Sequence, residues 1–323
     1  LGFSYFFCFS TVKDGIIAYF YFTLKSKKIF VINLENTYTK KEVIFMAEMT
    51  YLICTDLDNT LLTPEKNITL ITQEMMNHLI QSGNYFVYNT GRPYHGVIEY
   101  IQLLPKTMPA IFLNGALMTW TNPKTLEMKK KISFPLNTAL LHELLEEIMP
   151  YLDGGLIYAF KYLYVYHKNK VPYWLVHDNE YVTIKRLTAK TKFIDEPLSA
   201  SFQVKEAYIQ EFLTIIQKEK YQEFSFYPWG HFDHIYSFEI IKKGVSKGAA
   251  LSLLKDELHL PSLYTIAFGD NYNDVSMLEI ADEGVYMCNS KEDLLKKGKL
   301  FTSLTSSQDG IFDYLKKQHP ELF

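Results

Sequence analysis

Tyr51-Leu-Ile-Cys-Thr-Asp-Leu-Asp-Asn-Thr-Leu-Leu62 decides the fold. An apolar run that reads as a strand buried on both faces ends in two carboxylates, Asp56 and Asp58, separated by one residue. On an extended segment, residues two apart point the same way, so both acids project beyond the strand end. Like charges held together raise each other's proton affinity unless a cation or hydrogen bonds compensate. A hard divalent metal with oxygen ligands, most simply Mg²⁺, resolves the repulsion. By itself the Asp-x-Asp pair reads equally well as a solvated turn or a helix cap.

The pattern around this stretch is that of a doubly wound α/β domain. Helical spacing over 67–82 through Ile71, Met75, Met76 and Leu79 stops at Gly83. A strand at Tyr85 to Tyr88 follows, then Asn89-Thr90-Gly91-Arg92, then Pro93 as first residue of a helix to Leu104. Ala110 to Leu113 gives a third strand. Helix, strand, helix, strand and helix return over 245–258, 265–268, 274–281, 284–287 and 291–297. Between the two blocks, helical stretches over 139–151 and 207–220 mix with aromatic alternating segments such as Leu156 to Tyr166 and Glu223 to Tyr227. These read as antiparallel strands with one covered face. The expected division is a core of 46–116 and 238–323, interrupted by an α+β cap of 117–237.

Residues 1–45 differ in texture: crowded with Phe, Tyr, Lys and Ile, and without sustained period. Lys41-Glu42-Val43 can be encoded by AAG-GAG-GTN, which contains the purine-rich run of a bacterial ribosome-binding site, just before Met46. The expectation is that 1–45 are translated leader DNA from a low-G+C bacterium, with an aromatic extension or degenerate signal peptide as the alternative.

Composition excludes several classes. With 48% hydrophobic and 21% charged residues the chain is globular, and a formal net charge of −3 gives no electrostatic reason for a nucleic-acid partner. Lys129-Lys130-Lys131 reads as a solvated charge run. Lys13-Asp14 splits the N-terminal aromatic stretch below the ~18–20 residues of a membrane span. Cys8, Cys54 and Cys288 show neither disulfide nor metal spacing, which fits a reducing cytoplasm. Nine histidines lack ligand spacing, and His231-Phe-Asp-His234 reads as a hairpin surface. The tyrosines of 158–166 read as sheet packing, with a few rings left to face a substrate.

Three features join the opening acids. Thr90-Gly91 sits where a hydroxyl and backbone amides can hold a phosphate. Lys247 opens a helix after Lys243-Gly-Val-Ser, and Gly269-Asp-Asn-Tyr-Asn-Asp274 adds carboxylates after another apolar strand. Singly, Thr90 and Asp274 read as helix caps, Lys247 as a surface lysine and Asn114 as a turn residue.

In order, Asp56 to Leu62, Asn89 to Arg92, Gly244 to Gly248 and Gly269 to Asp274 resemble the four motifs of the haloacid dehalogenase superfamily of phosphatases. The first two lie too close for an intervening cap, whereas the interval between Arg92 and Gly244 accommodates one, as in the C2-capped branch. Leu113-Asn-Gly-Ala116 and Phe238 to Lys247 resemble its Cof-type members. The resemblance implies that Asp56 attacks phosphorus and that Asp58 serves as general acid and then base. It implies Mg²⁺ held by Asp56, the Asp58 backbone carbonyl and Asp270. It further implies that Thr90, the Gly91 and Leu57 amides, Lys247 and Asn273 hold the transferring group, with Asp274 supporting the metal or orienting Lys247. Many members have Gly where this chain has Asn59, a residue that tolerates left-handed backbone. The expected activity is Mg²⁺-dependent hydrolysis of a small phosphorylated metabolite such as a sugar phosphate, nucleotide or cofactor phosphate. A phosphomutase or phosphotransferase, a phospho-accepting signalling module and an idle ligand sensor are the alternatives. The oligomeric state is left open by the sequence.

Overall fold

The computed structural model describes residues 49–323 apart from 168–178 and 261, together with backbone strand segments before residue 45 that pair only with one another. The side chains of the expected leader lie outside the described residues.

Strand β1 (Thr50–Thr55) lies inside an eight-stranded sheet. Its alternate residues feed two different cores: Tyr51 and Ile53 join one apolar cluster, Leu52 and Cys54 another. That is the expected signature of a strand buried on both faces. Helix α1 (Leu70–Gln81) covers the first face through Met75, Met76, Leu79 and Ile80, whereas Ile71 points to solvent. β2 (Tyr85–Asn89) pairs in parallel with β1. The helix expected from Pro93 to Leu104 is instead a 3-10 turn, Tyr94–Gly96, and a single α turn, α2 (Ile98–Ile101). Gly96 and the β-branched Val97, which stands at φ −129°, interrupt it.

After β3 (Met108–Phe112) the chain departs from the expected division. β4 (Leu117–Thr121) and β5 (Met128–Ser133), expected in the cap, extend the core sheet as antiparallel strands. The inserted unit runs through α3 (Thr138–Ile148), β6 (Leu152–Tyr158), β7 (Tyr162–Tyr166), β8 (Thr183–Arg186), β9 (Ser199–Lys205), α4 (Ile209–Ile216), β10 (Phe224–Phe232) and β11 (Ile235–Lys242). Its six-stranded sheet has the order β8-β7-β6-β9-β11-β10. The β11 strand therefore carries the insertion to Lys242, beyond the expected boundary, and β7 pairs with β8 in parallel rather than antiparallel fashion.

Both faces of this sheet are covered, not one. Ile157 and Tyr164 pack with Leu141, Leu144 and Phe212 of α3 and α4. Leu156, Tyr158, Leu163 and Val165 face the other way and join the core's own cluster. The tyrosines of this stretch thus serve packing, as expected.

The chain then completes the core with α5 (Lys247–Leu258), β12 (Leu263–Gly269), α6 (Val275–Ile280), β13 (Glu283–Tyr286), α7 (Glu292–Lys297), β14 (Leu300–Phe301) and α8 (Gly310–Gln318). The core order is β14-β13-β12-β1-β2-β3-β4-β5, so β1 lies between parallel β12 and β2. This is the doubly wound α/β core with an inserted α+β unit. Among the described residues no helix is long and apolar enough to cross a membrane.

The start of α5 is wedged between two backbones. A Cβ on Gly115 would meet the Ser246 carbonyl oxygen at 2.4 Å, and one on Gly248 would meet that of Ser276 at 2.3 Å. Glycine is therefore required where α5 crosses α6. Gly248→Ala is expected to destabilise the fold by about 1–3 kcal/mol, as overpacked sites do, measured as a lowered urea midpoint. An unchanged midpoint would show that the crossing can relax.

Candidate active site

The register of three parallel strands sets the site. Thr55 pairs with both Phe268 and Tyr88, so Asp56, Asp270 and Thr90 leave the sheet at one end. The Asp56 amide, donating to the Phe268 carbonyl at 3.0 Å, continues that ladder one residue further. Asn59 adopts the left-handed conformation at φ 61°, as expected for an Asn in that turn.

Lys247 connects the acids. Its side chain is wholly buried, and Nζ donates to Asp56 Oδ1 at 2.5 Å and to Asp274 Oδ1 at 2.6 Å. It is therefore no surface lysine. Ser246 caps α5 by accepting from the Ala249 amide at 3.0 Å, and Asn89 Nδ2 donates to the Lys247 carbonyl at 3.0 Å, so the lysine backbone is fixed from two sides. The other Asp274 oxygen, Oδ2, accepts from the Asp270 and Asn271 amides, both at 2.9 Å. Asp274 thus orients Lys247 as well as bracing its own turn.

Asp56, Asp270 and Asp274 offer carboxylate oxygens within 4.8 Å of one another. Three carboxylates and one ammonium leave two negative charges uncompensated. Burial, and then the neighbouring acids, lift the Asp56 carboxyl above its usual range despite Lys247. Burial and Asp274 push Asp270 up to about 6. Burial works against the Lys247 charge, but Asp274 and Asp56 outweigh it and hold the ammonium protonated. The site therefore favours a cation or protons among its acids, and its all-oxygen donors suit a hard divalent ion.

Asp58 is elsewhere engaged. Arg92 grips its carboxylate through Nε and Nη2, both at 2.8 Å, and Lys66 Nζ adds a third contact at 2.7 Å. Burial would raise the Asp58 pKa, but the Arg92 and Lys66 contacts outweigh it and hold the carboxyl at about 2. Its carboxylate is not part of the acid cluster of Asp56, Asp270 and Asp274.

Thr90 is buried and caps no helix: its hydroxyl accepts from the Arg92 amide at 3.1 Å. Gly91 lies against the Asn114 amide group, which a Cβ would meet at 3.3 Å. Leu57 is buried, and its carbonyl accepts from three following amides that close the loop after β1. Asn273 Nδ2 donates to Asn114 Oδ1 at 2.9 Å, and Asn114 Nδ2 donates to Glu239 Oε2 at 2.8 Å.

Asn114, which singly reads as a turn residue, and Glu239, to which the sequence gives no role, both belong to this network. Leu113 and Asn114 are both left-handed, at φ 50° and 52°, and that strained turn presents the Asn114 amide to both partners. A carboxylate flanked by Phe238, Ile240 and Ile241 was the available signal for Glu239. Arg92 and Lys66 carried no such signal, because a charged loop residue looks the same whether solvated or paired. Away from the site, His231 and His234 lie at the β10–β11 hairpin beside Glu206, a surface cluster as expected.

The sequence profile of the haloacid dehalogenase-like hydrolases matches residues 53–315. The 5-amino-6-(5-phospho-D-ribitylamino)uracil phosphatase YitU of Bacillus subtilis is 29% identical over 286 residues, 84% of this chain and 98% of that protein. The pyridoxal phosphate phosphatase YbhA of Escherichia coli is 26% identical over 251 residues, 75% and 89% of the two chains. A haloacid dehalogenase-like hydrolase from Bacteroides thetaiotaomicron shares the fold at a TM-score of 0.66 and 21% identity, covering 83% of this chain and 99% of its own.

The Asp58 pair predicts a pH signature. Because the folded carboxyl titrates below its unfolded value of about 4, its stabilisation is complete above that pH and is lost as pH falls toward about 2. Arg92→Gln should be less stable than the parent near neutrality, and the difference in urea-unfolding free energy should shrink below about pH 4 and close only as pH falls through about 2. A difference that does not vary with pH would deny the linkage.

Proposed function

The chain belongs to the haloacid dehalogenase-like hydrolases and is a phosphatase; from its site we propose that it hydrolyses a small phosphorylated metabolite, with Mg²⁺, through an aspartyl-phosphate on Asp56. The observation that carries this reading is the buried Asp56–Lys247–Asp274 array beside Asp270, at the carboxyl ends of β1 and β12.

In the first displacement an Asp56 oxygen bonds to phosphorus, the bond to the leaving oxygen breaks, and Asp58 protonates that oxygen. In the second, water attacks phosphorus, returns a proton to Asp58 and releases phosphate with Asp56 restored. Lys247, Thr90, Asn273 and the Leu57 and Gly91 amides serve the equatorial oxygens. Asp56, Asp270 and the Asp58 carbonyl would hold Mg²⁺, which supplies the positive charge that lets a phosphate dianion approach two acids. Asp274 stands behind Lys247. The ion pair with Arg92 keeps Asp58 a carboxylate, so the protonating role requires that pair to open when substrate enters.

YitU is named for a phosphorylated ribitylaminouracil and YbhA for pyridoxal phosphate, both consistent with a small organic phosphate. A cytoplasmic location suits Cys54 and Cys288, which are free thiols.

Hydrolysis of p-nitrophenyl phosphate with Mg²⁺ is expected, with kcat lowered about 10⁴-fold or more in Asp56→Asn. Normal turnover in that variant would remove Asp56 as nucleophile. Mg²⁺ should also raise the wild-type unfolding temperature, as any ligand selective for the folded state does. Asp270→Asn should abolish the rise; an equal rise in both proteins would place the ion elsewhere.

A further inference from the structure

A cavity of about 380 Å³ lies between the β10–β11 hairpin of the inserted unit and the core loop after β12, and Lys247 and Asn273 form part of its wall. Through Lys247, which holds Asp56, it adjoins the acid cluster.

Trp229 enters that wall because of a backbone irregularity. Pro228 pairs with Phe238 and Gly230 with Ser237, so Trp229 is the extra residue of a β-bulge on the sheet edge. Bulges re-aim a side chain. Here the indole Nε1 donates to the buried Glu239 Oε2 at 3.0 Å. From the core side, the Tyr272 hydroxyl donates to Asp293 Oδ2 at 2.8 Å, and Lys291 Nζ lies 4.3 Å from the Tyr272 ring centroid. Each ring is thus held through its polar edge while Trp229 stays 56% and Tyr272 53% exposed. Two large aromatic side chains, one from each unit, thus line the same cavity while staying partly open to solvent.

Several polar groups of the wall, those nearest Lys247, are committed to the protein. Asn114 bridges Glu239 and Asn273. Ser246 Oγ receives the Ala249 amide and Ser276 Oγ the Gly248 amide. A polyhydroxylated leaving group needs an array of unspent donors and acceptors, because a site must match each hydroxyl it desolvates. A flat ring needs aromatic faces, which is what the two sides of this cavity present.

We propose that the substrate's leaving group carries a planar aromatic or heteroaromatic ring, held between Trp229 of the inserted unit and Tyr272 of the core while its phosphate meets Asp56. This rests on the phosphatase reading above.

The test compares kcat/KM for pyridoxal 5′-phosphate and flavin mononucleotide with that for glucose 6-phosphate and glycerol 2-phosphate. Wild type should prefer the ring-bearing esters by about tenfold or more, and Trp229→Ala should cut that preference about tenfold through KM, as the loss of one stacked aromatic pair would. Trp229→Phe should restore most of it, and Tyr272→Ala should lower it as well. A wild-type preference for glucose 6-phosphate, or equal losses on all four esters in Trp229→Ala, would overturn the proposal. If no ester, including p-nitrophenyl phosphate, releases phosphate, the phosphatase reading itself fails; turnover without ring preference defeats only the present inference.

Discussion

The ammonium of Lys247 holds the site together. It is wholly buried between Asp56 and Asp274, side chains carried by segments 191 and 27 residues away from it in sequence. An exposed pair such as Lys296 with Glu292 is worth about 0–1 kcal/mol, whereas leaving one member of a buried pair unmatched costs about 3–5 kcal/mol. The lysine therefore cannot be spared without loosening the ends of β1 and β12 together. The Ser246 cap, the Asn89 side chain and the close crossing at Gly248 all serve to put that one nitrogen in place.

The same array carries an excess of negative charge. Its acids outnumber its single cation, and burial denies them water, so Asp56 and Asp270 both bind protons more readily than free carboxyls. A divalent ion would relieve that excess and leave Asp56 ionised, the form in which a carboxylate attacks. Asp58 lies under the opposite influence. With Arg92 and Lys66 on its oxygens it is more acidic than an ordinary carboxyl, so two acids separated by one residue have been driven in opposite directions by their surroundings.

Between the two units runs a chain of amides and a carboxylate, Asn273 to Asn114 to Glu239 to Trp229. Glu239 belongs to the inserted sheet and Asn114 to the core turn, so this chain links Asn273 of the core to Trp229 of the inserted unit. Burial raises the Glu239 pKa, and the donors from Trp229, Asn114 and Ser199 counter it. A shift of the inserted unit relative to the core would break these bonds, which couples cap position to the placement of Asn273.

The sequence by itself determined the doubly wound core and the inserted α+β unit, and it marked the candidate acids, lysine and threonine only as an ordered set of motifs, since each alone reads as a cap, a turn or a surface residue. Strand period and turn chemistry are local, and they survive in one dimension. Only tertiary structure decided that β4 and β5 extend the core sheet, since alternating strands carry no mark of which sheet they will join. It also decided that Asp58 faces Arg92 and Lys66, that Asn114 and Glu239 meet across the unit boundary, and that a bulge brings the Trp229 indole to Glu239 in the wall of the cavity that Tyr272 also lines. Those outcomes depend on which side chains meet in space, and charge or aromaticity read along the chain does not say what it will meet.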